Sequence, residues 1–386
     1  MPKISGCINP LCMKVLHIVN TLSAGGAELQ LLTLVRGLKT FGVEQRVACL
    51  KEHVTSSESL RNRFEAEGVR VFDLGARHLV DISCVSRAFS IGRSWPPDVV
   101  HTHLPRADVV GAFMRLRGLA PVWVASIHDI YKNSWRGKHA LPLLCQIWNK
   151  ADAVVGISGA VRDWLVNEQG ISQDRVRVIH YGIECDSFFQ SKDVATEGSY
   201  VIGTIGRLEA RKGHEYLIKA MIHVLKKFPH AQLHILGHDP DGYGVTLRSL
   251  IRELRLEDAV FLLGFDADVK TFLSRLELFA FASLSEGFGQ VVVEAMAASK
   301  LVIVSDIAPL TEIVDSNTGI LVPARDERRF AHEICWALEH PTEARAFGMR
   351  ARERAILHFS AQRMSAEVIR LYGQLSDREK RYQHRN

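Results

Sequence analysis

No apolar run in these 386 residues reaches the roughly 18 needed to span a bilayer. The first residues lack the basic region, long apolar stretch and small-residue cleavage site of a secretory leader, so the chain is expected to stay in the cytoplasm. Cysteine is sparse and unpaired in pattern. The seven, Cys7, Cys12, Cys49, Cys84, Cys145, Cys185 and Cys335, are odd in number and contain no Cys-x-x-Cys, which argues against a disulfide framework and a zinc site. No Gly-x-Gly-x-x-Gly is present, so the dinucleotide fingerprint is missing. Helix-turn-helix, zinc-finger and RNP-like patterns are missing too, and no nucleic-acid partner is expected.

The length exceeds what a single core usually covers and points to two domains. Charge is unevenly divided, with 22 basic against 16 acidic residues through Cys185 and 26 against 27 beyond it. The basic first half suits an acidic partner surface, either anionic lipid headgroups or a phosphorylated acceptor.

Short apolar runs of the kind that form buried parallel strands recur along the chain. In the first half they are Lys14–Val19, Arg46–Leu50, Val69–Leu74, Asp98–His101, Val122–Ile127 and Ala153–Ile157. A fresh series starts at Tyr200 and continues with Gln232–Leu236, Ala259–Leu263, Leu278–Phe281, Leu301–Ser305 and Gly319–Val322. Helical patterns or loops separate the runs, and strand–helix alternation of this sort predicts α/β architecture with parallel, doubly wound sheets. The polar stretch 190–199 reads as a linker, residues 1–12 as an extension, and the charged tail Arg378–Arg381 as solvated or frayed. The expected division is residues 1–190 and 191–365 as two Rossmann-like domains, with 366–386 as a C-terminal helix and tail.

In open parallel sheets ligands bind beyond the carboxyl ends of strands, so two such domains facing each other would make an interdomain cleft. The most informative loop is Ser283–Met296, where Glu286 and Glu294 stand eight positions apart across Gly287-Phe288-Gly289. Glycines there permit close backbone approach, and the N-terminus of the next helix suits an anion. Carboxylates suit paired sugar hydroxyls, because each oxygen accepts from neighbouring O–H donors. Residues 206–213 place Arg207, Arg211 and Lys212 after a strand, where cations can neutralise a departing diphosphate. Gly25 and Gly26 open the first helix and offer backbone amides. His101 and His103 form a candidate metal pair, but no third ligand at suitable spacing accompanies them, and no metal is expected. His128, at a strand end, is better placed to hydrogen-bond a substrate. Asp266-Ala267-Asp268 reads as helix capping rather than as a metal clamp.

These segments together resemble the retaining glycosyltransferases of the GT-B fold, specifically glycosyltransferase family 4. The resemblance is carried by Gly25-Gly26-Ala27-Glu28, Asp98-Val99-Val100-His101-Thr102-His103, Ile157-Ser158, Ile202–Leu208 with Lys212-Gly213, Leu236-Gly237, Leu263-Gly264-Phe265, Glu286-x7-Glu294 and Thr318–Pro323. It implies that Glu294 holds the ribose hydroxyls of a nucleotide sugar and Glu286 the hydroxyls of its sugar. Arg207 and Lys212 would grip the diphosphate with backbone amides around Phe288, Gly289 and Gln290 and with Gly25 and Gly26. The backbone near Leu263 and Gly264 would flank the base, and His128 would contact the transferring sugar. The catalytic set implied is His128, Arg207, Lys212 and Glu286, with no cofactor or metal. One departure stands out: where the family often has Asn-Gly-Ile-Asp, this chain has His180-Tyr181-Gly182-Ile183-Glu184.

The expected function is transfer of a sugar, most commonly from a uridine nucleotide, to a glycan or lipid-linked acceptor of a bacterial surface polysaccharide such as lipopolysaccharide. Transfer to a soluble sugar phosphate and a catalytically silent scaffold are the alternatives. Acceptor contacts are expected from His101, His103, Tyr131, Lys132, Trp135 and Arg136, and the basic half is compatible with peripheral contact with an anionic membrane.

Overall fold

The computed structural model describes residues 13–23, 25–52, 59–77, 81–131, 135–189, 200–266 and 268–383. Two compact units form, one from Met1–Gly182 with Ala361–Asn386 and one from Ile183–Ser360. The expected linker at 190–199 and the extension at 1–12 lie outside the described residues.

In the first unit seven parallel strands form one sheet: β1 (Lys14–Val19), β2 (Glu44–Cys49), β3 (Arg70–Asp73), β4 (Val99–His103), β5 (Val122–Ile127), β6 (Ala153–Gly156) and β7 (Val176–Val178). Their order is β3-β2-β1-β4-β5-β6-β7. Every residue of β4 and β5 is buried, which explains why β5 reads as a near-continuous apolar run rather than an alternating one, while β4 takes His101, Thr102 and His103 into the interior with it. The three-residue β7 escaped the sequence pattern because it is too short to show a period.

The second unit repeats the plan with β8 (Val201–Ile205), β9 (Gln232–Leu236), β10 (Val260–Gly264), β11 (Leu278–Phe281), β12 (Leu301–Ser305) and β13 (Ile320–Val322), in the order β10-β9-β8-β11-β12-β13. In both sheets the order turns back beside the first strand, and loops after the central strands gather at that switch point.

The last helix, Ala361–Gln383, belongs to the first unit, and the expected separate segment from residue 366 is corrected accordingly. Its Met364, Val368, Leu371 and Tyr372 bury into the core made by Val15, Val99, Val122 and Val124 with the helix Gly26–Thr40. Periodicity announces an apolar helix face but not which sheet will cover it, so the sequence alone could not place this helix. The charged tail is not frayed: it continues as helix to Gln383, and Glu379 lies 3.7 Å from Arg115. Among the described residues no helix is long and apolar enough to cross a membrane.

Candidate functional site

In the second unit the loops after β8 and β11 are stitched together. Leu284 N–H donates to the Arg211 carbonyl at 2.8 Å, and an Arg211 guanidinium nitrogen donates to the Ser285 carbonyl at 3.1 Å. Gly213 makes this approach feasible: its φ is +64°, and a Cβ there would lie 2.0 Å from the Ala282 carbonyl oxygen. Only glycine takes that conformation without strain and also leaves room for the neighbouring backbone.

Lys212 Nζ donates to Glu286 Oε1 at 2.6 Å, and the Ser283 hydroxyl donates to the same oxygen at 2.7 Å. The lysine and glutamate side chains are 12% and 8% exposed, so the pair is largely shielded from water. A shielded pair is strongly interdependent, since either charge alone would be poorly solvated. The two residues to which the resemblance gave separate tasks, diphosphate and sugar, are thus joined in one ion pair. Arg207 is more exposed and pairs with Glu209 at 3.1 Å, an oxygen it shares with Arg211. His214, at the start of the helix His214–Lys227, donates from Nε2 to the Arg207 carbonyl at 3.1 Å, and burial lowers its pKa to about 4.

Glu294 sits on the helix Gln290–Ala297, just over one turn from its start. It is nearly buried, and desolvation raises its pKa to about 7 against the opposing effect of the Gln290 amide, which donates to Oε1 at 2.8 Å. A carboxylate held this way gains from further hydroxyl donors, because they stabilise the charge that burial penalises. Gly289 caps the helix at φ +109°, and a Cβ there would come within 2.6 Å of Leu310 Cδ2. The Phe288 side chain is core, edge-on to Phe359, so any ligand contact at that position falls to its backbone. Leu263 is 46% exposed, and Gly264 ends β10 with its carbonyl accepting from Gly237 N–H at 2.7 Å. Asp268 caps the helix Val269–Ser274 through the Thr271 amide at 3.1 Å, as the capping reading required.

In the first unit Gly25 caps the helix Gly26–Thr40, but Glu28 in its first turn folds back, so that a Cβ on Gly25 would lie 2.5 Å from Glu28 Oε2. The chain's own carboxylate, bonded by the Thr21 hydroxyl at 3.1 Å, therefore sits at the anion-favouring end. Burial raises the Glu28 pKa, against the lowering effect of the Thr21 hydroxyl.

The histidines require two corrections. His101 and His103 do have a third imidazole beside them: His17 of β1, 84 positions away in sequence but level with His101 in the sheet. The three bring ligand atoms within 4.8 Å of one another. All six ring nitrogens already have partners. His17 bonds Gln45 and His103, His103 also bonds His128, and His101 bonds Tyr372 and Ser126. A cation there would have to displace those bonds. The same burial, 2% exposure each, corrects the acceptor assignment of His101 and His103: neither reaches solvent. Tyr131 packs its ring against Trp148 and Trp164. Lys132 and the side chains of Trp135 and Arg136 lie outside the described residues. Ser283, His214, Gln45 and His17 went unassigned in the sequence. The first two follow a motif strand or loop directly and were findable, whereas only the strand register reveals the last two.

Two parallel, doubly wound units with an acidic-basic pair and a buried carboxylate at the strand ends of the second define the GT-B class of glycosyltransferase architecture. Residues 24–187 match the family model described as Glycosyltransferase Family 4, and residues 186–354 match the model for glycosyl transferases group 1. The chain belongs to the family 4 type of glycosyltransferase. It is 30% identical over 220 residues to the N-acetylgalactosamine-N,N'-diacetylbacillosaminyl-diphospho-undecaprenol 4-alpha-N-acetylgalactosaminyltransferase of Campylobacter jejuni, covering 55% of this chain and 58% of that protein. It is 26% identical over 384 residues to a D-inositol 3-phosphate glycosyltransferase of Kineococcus radiotolerans, covering 87% of each. The crystal structure of Anabaena HepE in complex with UDP-glucose superposes with a TM-score of 0.82 at 22% identity, covering 94% of this chain and 100% of that one. Matches to the first curated relatives span about three-fifths of their length.

Proposed function

We propose that the protein is a retaining, metal-independent glycosyltransferase that takes its sugar from a nucleoside diphosphate donor, with uridine as the expected base. The observation that carries this reading is the Lys212–Glu286–Ser283 cluster at the strand ends of the second unit, followed in the chain by the buried Glu294 on the helix Gln290–Ala297. Glu294 accepts the two ribose hydroxyls, and Glu286 accepts hydroxyls of the sugar while Lys212 and Arg207 meet the diphosphate with the amides around Gly289. Gly25, Gly26 and His128 keep the parts that the family resemblance gives them. In the reaction the acceptor oxygen forms its bond to the anomeric carbon as the bond to the phosphate oxygen breaks, both on one face of the sugar. The acceptor proton passes to the departing phosphate, and the cations stabilise the charge that develops there, the task a divalent ion has in other transferases.

A lipid-linked or glycan acceptor of a bacterial surface polysaccharide is the leading choice, supported by the diphospho-undecaprenol in the Campylobacter relative's name and by the basic first half of this chain. Such an acceptor places the enzyme in the cytoplasm, in peripheral contact with the anionic inner face of the membrane. A soluble sugar phosphate is the second reading, supported by the D-inositol 3-phosphate relative. Thermal unfolding against UDP, GDP, ADP and their sugars tests the donor. Ligand at 100 times its dissociation constant adds about 2.7 kcal/mol to apparent stability, and silence with every nucleotide would sink the reading. Transfer assayed with a polyprenyl-diphosphate-linked sugar and with inositol phosphate then separates the acceptors.

A further inference from the structure

The hydrogen bonds beneath His128 have a direction. Gln45 Nε2 donates to the Val35 carbonyl at 2.9 Å, and because a carbonyl can only accept, the other side-chain atom of Gln45 facing His17 is its oxygen. At 3.2 Å from that oxygen, His17 Nε2 must carry the proton. A neutral imidazole has one N–H, so His17 Nδ1 is an acceptor, and His103 Nε2, 3.4 Å away, donates to it. His103 Nδ1 is then an acceptor for His128 Nε2–H at 3.3 Å, and His128 Nδ1 accepts from the Tyr181 hydroxyl at 2.5 Å. One placement of protons satisfies every link. The reverse placement would turn the His17 Nε2 lone pair onto the Gln45 oxygen.

Neutral rings are what the surroundings favour. Burial lowers the pKa of His17 to about 4 and of His128 to about 3, and holds that of His103 well below the ordinary range.

We propose that Tyr181 is a positioning residue that closes this one-way chain and holds His128 as a single Nε2–H tautomer, its Nδ1 turned to the tyrosine. Tyr181 stands where the resembled family often carries asparagine, so this clamp belongs to this chain's own sequence. The proposal rests on the glycosyltransferase reading only for its kinetic consequence, since the tautomer is a property of the free protein. With both ring nitrogens engaged inside the fold, His128 is held in one orientation, and contact with a sugar falls to its ring edge or its backbone.

The test is ¹⁵N NMR of histidine-labelled protein, wild type and Tyr181→Phe, alongside steady-state transfer. In the wild type His17, His103 and His128 are expected neutral and Nε2-protonated. In Tyr181→Phe the His128 signals are expected to move toward a mixture of tautomers while His17 stays fixed. The variant should lose about 10-fold in kcat with the donor KM unchanged, as for a misaligned group. Any of the three rings found charged or Nδ1-protonated in the wild type overturns the proposal, as does an unaltered His128 in the variant. Zinc chloride shifting His17, His101 and His103 together would overturn it in favour of a metal centre. Should Tyr181→Phe fail to fold, the wild-type spectrum decides alone; should no donor be turned over, the spectra still decide the chain while the functional reading fails separately.

Discussion

The two sheets have the same switch-point plan and fill it with opposite chemistry. At the strand ends of the second unit charge is concentrated and paired, Lys212 with Glu286, and the next helix carries the buried Glu294. In the first unit the corresponding strands carry imidazoles linked from Gln45 to Tyr181, with His17 and His103 buried and His128 at the part-exposed end. A charged site is built to meet charge on a ligand, and removing one partner strands the other. A neutral chain meets no charge; it fixes the orientation of its last ring.

The sharpest way to break that contrast is Lys212→Ala. It should slow transfer by about 100-fold or more, the effect of losing a charge-stabilising donor. It should also cost about 3 to 5 kcal/mol in denaturant unfolding, because Glu286 is left buried and unpaired. Equal stability and turnover in the variant would refute the paired-charge account. Next is Gly213→Ala, for which the added methyl meets the Ala282 carbonyl and the backbone is left-handed; about 3 kcal/mol of destabilisation by thermal unfolding is expected.

Glu294 sharpens the comparison through pH. Its folded-state pKa lies near 7 against the ordinary 4.5, so between those values the folded protein holds a proton that the unfolded chain has released. Stability should therefore fall as pH rises from about 4.5 to 7, by on the order of 3 kcal/mol, and level off above. Ribose hydroxyls favour the ionised form, so nucleotide affinity should rise over the upper part of the same range. Glu294→Gln should flatten both profiles, measured by unfolding and by calorimetric titration with UDP; unchanged slopes would show that the slope arises elsewhere. The smallest effect is expected from Tyr372→Phe, which leaves His101 Nδ1 without its partner and should cost about 1 to 3 kcal/mol with donor affinity intact.

Much of this was legible beforehand. Five strands, among them Lys14–Val19 and Leu301–Ser305, read to the residue because buried parallel strands are continuous apolar runs with polar ends. The Glu286–Glu294 spacing was legible as well, since a loop and the helix after it are local in sequence. What depends on the register between distant strands was not. His17 beside His101, and Gln45 behind His17, follow from pairing of β1 with β4 and with β2, and no local pattern encodes that. The carboxylate of Glu28 over Gly25 escaped for a subtler reason: the sequence shows an acidic residue in the first helical turn, but not that its side chain folds back to the cap.

The helix Ala361–Gln383 has a consequence for how the protein comes into being. On a ribosome the first unit is translated first, yet its sheet stays uncovered on the face that Met364, Val368, Leu371 and Tyr372 will occupy until the last residues emerge. The second unit, translated in between, has all its residues before that moment. The half that starts the chain is thus the half that finishes folding, and a nascent chain released early would carry a complete second unit while the first still left an apolar sheet face open to water.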